Sequence, residues 1–347
     1  MHKVKVDLAD CKIGNILAKD IVNNNGVVLI AKNTAFNAYI LLKLKELGIK
    51  FVYIYDLKNN VNKSSKQHHK VFRSSYLETT AAIKELLNNL VSGKCLDFKK
   101  LEEIKACIFK NIDDADCVIG FLNELKTYDD YTYYHSANVA FYAMLIGKWM
   151  KMTNAEIMDL ILAGCLHDIG KLTIPNEILN KKGKLTEKEF EEIKEHSIRG
   201  YWMVKNESGI SNEVKDAVLS HHERMDGSGY PAGTCGESLG KYAKIIAIAD
   251  VYDAMTSERV YKHGVTPFEA FRMFGTTGVC KFDPYVIKVF LTNIAAYMHG
   301  QKVQMSDGQV GEVVYVPHYD MANPVVCVNS SFIDMSRDTD LKIQNIL

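Results

Sequence analysis

Two motifs constrain this chain most: His167-Asp168-Ile169-Gly170-Lys171, and the later run His221-His222-Glu223-Arg224-Met225-Asp226-Gly227-Ser228-Gly229-Tyr230-Pro231. Imidazoles and carboxylates here stand in clusters on segments that otherwise read as helical and apolar. Burying such groups costs free energy unless they are matched. The fold must therefore gather them around positive charge. Histidine and carboxylate sets suit borderline transition metals, and metals held this way commonly serve hydrolysis.

Further positions join this pattern. His135, Val139, Tyr142, Ile146 and Trp149 fall on one face at steps of four, three, four and three, so His135 points inward near the start of a helix. Ile157, Leu160, Ile161 and Gly164 lead a second helix to His167 and Asp168. Gly164 allows a close helix neighbour, and Pro175 prevents continuation. Thr186-Glu187-Lys188-Glu189 reads as a capping box opening the charged helix of His196. Adjacent histidines point about 100° apart on a helix, so His221 and His222 can share a cation only at a helix end or across a cleft. Asp250 and Asp253 sit three apart on the apolar run Ile245-Ile246-Ala247-Ile248-Ala249 and share a face, where two acids repel unless positive charge lies between them. His135, His167, Asp168, His196, His221, His222 and Asp250 thus form a candidate ligand set from one helical region.

Around that region the texture changes. Residues 1–57 read as a small α/β unit: Ile21-Val22 and Val27-Val28-Leu29-Ile30 flank Asn23-Asn24-Asn25-Gly26, a hairpin signal. Leu41, Leu44 and Leu47 then follow at helical spacing up to Gly48, and Phe51-Val52-Tyr53-Ile54-Tyr55 is a strand candidate. Residues 58–70 are rich in Asn, Ser and Lys and read as a linker or long loop, with His68-His69 a solvated pair. Residues 71–126 form a helical lead-in, and 127–299 the helical region that carries these seven groups. Residues 300–347 form a small β appendage with strand candidates at Val303-Gln304-Met305, Val310 to Val316 and Pro324 to Val328, expected to pack on the helical part. The fold class is mostly α, with a helical bundle between an α/β unit and a short β appendage.

Composition narrows the function. At 347 residues and 47% hydrophobic content the chain can fill a large core. Lys+Arg and Asp+Glu are 42 each, so no global field draws it to a nucleic acid polymer or an anionic membrane. An anionic substrate has to be met by local charge. Eight cysteines without CxxC spacing read as reduced core thiols of a cytoplasmic protein. The N-terminal residues lack the apolar run of a signal peptide, and apolar stretches fall short of a membrane span.

The ordered series of motifs resembles the HD-GYP family, a branch of the HD phosphohydrolases. It comprises His167 to Lys171, Ile174-Pro175, the Leu185-Thr186 helix start, His196 before Gly200, His221-His222-Glu223, Gly229-Tyr230-Pro231, Asp250-Val251-Tyr252-Asp253-Ala254 and Arg259-Val260-Tyr261-Lys262, over roughly residues 127–295. The resemblance implies an HD-type bundle and hydrolysis of cyclic di-GMP. It implies one metal at His167, Asp168 and Asp250, completed or supported by His135. Asp168 would bridge to a second metal held by His196, His221 and His222. Iron or manganese is favoured, and a hydroxide shared by the two cations would attack phosphorus. Lys171 would stabilise charge on the phosphoryl oxygens. Tyr230, Arg259 and Lys262 would contact phosphate or guanine, and Asp129 and Asp253 would accept hydrogen bonds from the guanine edge.

Family members with three metals carry a glutamate four residues before the first ligand histidine. Tyr131 stands there, so two metals are expected. Whether the product is pGpG or GMP stays open. Two other readings stand beside this one: hydrolysis of another cyclic dinucleotide or a nucleotide, and an inactive cyclic-dinucleotide-binding module. The latter would have lost ligands, and none of the seven is missing. The lead-in leaves room for a homodimer without requiring one.

Overall fold

The computed structural model describes residues 2–22, 28–30, 32, 34, 36–56, 64–125, 131–257, 264–329, 331–337 and 340–347. Two compact units emerge, one of residues 1–68 with 295–347 and one of residues 69–294.

In the first unit, β1 (His2–Asp7) precedes β2 (Ile21–Val22) and β3 (Val28–Ile30). Helix α1 (Ala38–Glu46) and β4 (Phe51–Asp56) follow. β2 pairs antiparallel with β3, as the hairpin signal implies; its turn, 23–27, lies outside the described residues. β1 pairs antiparallel with β4 from His2↔Asp56 to Asp7↔Phe51. Leu17, Phe36, Leu44, Val52 and Ile54 form a small core between these elements. The Asn37 side chain caps α1 by accepting from Ile40 N, and Gly48 follows the helix at φ +69, the left-handed stop expected there. The C-terminal segment contributes β5 (Lys302–Met305), β6 (Val310–Tyr315), β7 (Val325–Val328), β8 (Ser331–Asp334) and β9 (Ile343–Ile346). They form one sheet in the order β8-β7-β6-β5-β9. The sequence marks the two terminal segments as separate pieces; residues 1–68 and 295–347 group into a single compact unit, for which no local signal exists.

The second unit is helical. It runs through α2 (Ser64–Val91), α3 (Phe98–Phe109), α4 (Ala115–Glu124), α5 (Tyr131–Trp149), α6 (Asn154–Leu166), α7 (Asn176–Leu179), α8 (Glu187–Val204), α9 (Asn212–Ser220), α10 (Lys241–Thr256), α11 (Pro267–Gly275) and α12 (Pro284–Met298). The unit boundaries fall within α2 and α12. Because α2 begins at Ser64, the stretch read as linker to Lys70 is helical over 64–70, and His68 and His69 lie in that helix. Residues 58–63 are outside the described set.

The centre of this unit is α5 and α6. Residues 135–147 of α5 are all buried, so the helix has no solvent face. It also starts one turn before His135. The single apolar face read from the sequence is therefore one side of a helix enclosed on every side. Gly164 of α6 explains how close the pair can come: a Cβ there would stand 2.5 Å from the Ala140 Cα of α5. The expected capping box forms at Thr186 with Glu189, and the structure adds a second at Thr153 with Glu156. All eight cysteines are free. Cys117 and Cys165 are buried, whereas Cys95, Cys235 and Cys280 are exposed, which corrects the reading of core thiols for those three. Among the described residues, no helix is long and apolar enough to cross a membrane.

Candidate metal centre

Five elements deliver the seven candidate ligands to one place. His135 lies in the second turn of α5. His167 caps the C-terminus of α6, and Asp168 opens a short 3-10 turn over Ile169–Thr173. His196 sits on the single buried stripe of α8, with Ser197, Gly200 and Val204. His221 is the C-cap of α9, with His222 directly beyond it, the helix-end placement that lets both neighbours reach one centre. Asp250 is in α10. Gly170 binds the arrangement together, since any Cβ on it would run into the His196 carbonyl.

Their donor atoms converge in two groups, Asp168 with His196, His221 and His222, and His135 with His167 and Asp250. Within each group all donors lie within 4.8 Å of one another. Asp168 joins them. Its Oδ2 stands 3.3 Å from His167 Nε2 and 3.6 Å from His135 Nε2. Its Oδ1 stands 3.4 Å from His196 Nε2 and 3.7 Å from His221 Nε2. Each oxygen of one carboxylate thus faces a different group. On the other side of the centre, Asp250 Oδ1 is 3.0 Å from His135 Nε2 and Oδ2 is 3.8 Å from His222 Nδ1.

The tautomers follow from the main chain. Nδ1 of His167, His196 and His221 lies 2.8, 2.6 and 3.0 Å from the carbonyls of Gly164, Ile193 and Val218. A carbonyl only accepts, so each Nδ1 carries a proton and donates it. In the neutral ring each Nε2 is then a lone pair turned into the cluster. Burial, with Lys171 nearby, depresses His196 to about 3. Burial also lowers His221 and takes His222 well below the usual imidazole range. Burial opposes charge on Asp168 and Asp250, yet the facing histidines, with Lys171 at Asp168, hold both well below the carboxylate range. His167 Nε2 and Asp168 Oδ1 are buried without a hydrogen-bond partner. Neutral imidazoles, ionised carboxylates and orphaned lone pairs form a donor set that fits divalent metal ions.

His135 is a different case. Burial pulls its pKa down, but Asp250 and Asp253 more than offset this and raise it to about 9. Its Nδ1 donates to Asp253 Oδ2 at 2.7 Å. Asp253 was expected against a guanine edge. It is instead 2% exposed, and its other oxygen accepts from Asn138 Nδ2 at 2.8 Å and Ser257 Oγ at 2.9 Å. Both Asp253 oxygens are thus committed within the protein, one of them to the His135 ring. Sharing a face with Asp250 concealed this difference.

Lys171 Nζ lies 2.6 Å from Asp168 Oδ2, on the motif's own turn. The Tyr230 ring rests on His222 with centroids 4.7 Å apart, and meets His196 edge-on at 6.3 Å. The Tyr131 ring stacks on His135 at 5.3 Å. Asp129, Arg259 and Lys262 lie outside the described residues. Sequence reasoning overlooked three contributors. Asn138 and Ser257 follow His135 and Asp253 at helical steps of three and four, a findable signal. Arg224, whose Nη1 donates to the carbonyls of His221 and Glu223, steadies the His221-His222 turn.

The HD domain profile matches residues 121–286, the segment carrying all seven of these side chains. The chain is an HD-domain protein. Among its relatives, a cyclic di-GMP phosphodiesterase of Pseudomonas aeruginosa is 35% identical over 238 residues, covering 67% of this chain and 56% of the relative. One of Thermotoga maritima is 38% identical over 176 residues, 50% of this chain and 48% of the relative. A Vibrio cholerae 3'3'-cGAMP-specific phosphodiesterase is 35% identical over 176 residues, 50% of this chain and 41% of that protein. The chain therefore spans about half the length of these curated relatives. A solved HDG"Y"P protein from Bdellovibrio bacteriovorus shares the fold at a TM-score of 0.55 and 16% identity, covering 84% of this chain and 99% of that one.

Proposed function

We propose that this chain is a bimetallic phosphodiesterase of the HD-GYP type that hydrolyses cyclic di-GMP, to the linear dinucleotide or onward to GMP. The observation that carries the reading is Asp168, whose two oxygens face separate donor groups. His135, His167, Asp168 and Asp250 hold one metal, and Asp168, His196, His221 and His222 the other. The imidazole-rich set favours iron or manganese over magnesium. Bound there, the cations supply an activated water and a clamp on the scissile phosphate.

The chain's own side chains do the rest. Lys171 turns from Asp168 to the phosphoryl oxygens, where a fixed cation stabilises the charge that grows during displacement. Tyr230, held on His222, forms a wall for the substrate. Asp129, Arg259 and Lys262 complete phosphate and base recognition. Tyr131 fills the position beside His135 with a neutral ring, which supports two metals rather than three. The chemistry resides in residues 127–299, and the first 57 residues are not needed for ligand supply.

Turnover of cyclic di-GMP and 3'3'-cGAMP, measured with anaerobic Fe2+ and with Mn2+, tests this. Cyclic di-GMP cleavage that disappears in His167→Ala/Asp168→Ala supports the reading. Exclusive cleavage of 3'3'-cGAMP replaces its substrate, and cleavage surviving the double variant removes the site.

A further inference from the structure

A continuous hydrogen-bonded chain of buried side chains leads from α2 into the metal centre. Tyr76 Oη stands 2.5 Å from Asn138 Oδ1, and Asn138 Nδ2 stands 2.8 Å from Asp253 Oδ1. Asp253 Oδ2 stands 2.7 Å from His135 Nδ1, and His135 Nε2 stands 3.0 Å from Asp250 Oδ1. Tyr76, Asn138, Asp253, His135 and Asp250 are each 5% exposed or less.

The direction of every bond is forced. The Asp253 carboxylate only accepts, so Asn138 turns its Nδ2 towards it. That leaves the Asn138 oxygen facing Tyr76, and Tyr76 must donate. Burial, reinforced by Asp253, pushes the Tyr76 hydroxyl well above its usual range and keeps it a donor. With Asp253 pinned, the His135 proton stays on Nδ1, and the lone pair of its metal-loaded form is on Nε2. Such outer hydrogen bonds fix the tautomer and ring angle of a ligand histidine. Tyr76 is itself held by rings, with Phe121 at 4.9 Å and Phe141 at 5.8 Å.

We infer that Tyr76 is a positioning residue for the metal centre, acting through Asn138 and Asp253 to aim His135 Nε2 at the first metal position. Tyr76 lies outside the matched segment 121–286, so the lead-in helix supplies part of what the ligands need. This inference rests on the metal-centre reading above.

The test is Co2+ titration of the chelator-stripped full-length chain, followed by visible absorption, which reports ligand number and geometry, together with the melting temperature. Tyr76→Phe removes one hydroxyl. It is expected to weaken one of the two Co2+ sites about 10- to 100-fold and alter that site's band, leaving the other unchanged. Asn138→Ala, cutting the same chain one link further on, gives the same loss at the same site. Phe72→Leu disturbs the aromatic packing beside Tyr76 without touching the chain of bonds; it lowers the melting temperature and leaves both Co2+ affinities within about twofold. Wild-type Co2+ binding in both Tyr76→Phe and Asn138→Ala overturns the inference. So does equal weakening of both sites in all three variants, which marks general loosening. A wild-type chain that takes up no Co2+ removes the metal-centre reading itself.

Discussion

His196 Nε2 and His221 Nε2 stand 3.3 Å apart, and both rings have already given their Nδ1 protons to main-chain carbonyls. Two lone pairs therefore face each other in a buried site with no proton between them. A cation resolves that opposition, and the metal-free centre stores it. Chelator treatment is expected to lower the melting temperature, and Mn2+ or Fe2+ to restore it, because a ligand that binds only the folded state at 100 times its Kd adds about 2.7 kcal/mol. Mg2+ at equal concentration restores little. Calorimetric melts with each ion check this; equal rescue by Mg2+ would contradict an imidazole-selective centre.

Asp168 and Asp250 are both buried carboxylates, but Asp168 sets one oxygen against His167 and His135 and the other against His196 and His221, whereas Asp250 meets the second group only at His222 Nδ1, 3.8 Å away. Asp168→Asn is therefore expected to lower metal content from two equivalents to one or none, and activity by at least about 10³-fold. Asp250→Asn loses one equivalent and leaves the His196, His221 and His222 site loaded. Elemental analysis of the purified variants decides it. Equal losses in the two would show that Asp168 has no bridging role.

His135 titrates near 9 in the metal-free protein, whereas His196, His221 and His222 are depressed. A raised histidine stabilises the fold below its unfolded value, about 6.5, and that contribution fades as pH rises through about 9. The metal-free chain should thus lose this part of its stability between those limits. Metal binding at His135 must also expel its proton, while the three depressed histidines have none to give. Calorimetry in buffers of different ionisation heat should find close to one proton released from these four histidines at pH 7–8. Release of three or four would mean that they are charged before binding.

Asp253 separates an orienting role from a substrate contact. Asp253→Asn keeps the shape but weakens the hold on His135, so kcat and metal affinity fall by about 10- to 100-fold, with KM nearly unchanged. Steady-state kinetics at saturating metal reads the split. A large rise in KM with unchanged kcat and metal content would restore the guanine-edge role.

The candidate ligands were legible because each sits where an elementary rule exposes it. His167 and Asp168 end an apolar helix, and His221 and His222 occupy a helix terminus that lets neighbours converge. The Thr186 capping box and the Gly164 contact are local features too. Other properties had no local trace. α5 has thirteen consecutive buried residues, yet periodicity can identify only the face that looks most apolar. Asp250 and Asp253 are equivalent by spacing and differ only in partners supplied by α5. The helical start at Ser64 runs through a polar stretch whose composition suggests a loop, and the shared unit of the two chain ends depends on contacts between the most distant parts of the sequence.

The most direct measurement is anomalous diffraction from crystals grown with Mn2+. The account predicts two peaks roughly 3.5–4 Å apart, with one Asp168 oxygen on each, His135, His167 and Asp250 around the first, and His196, His221 and His222 around the second. A single peak, a third beside Tyr131, or metal bound away from Asp168 would contradict it.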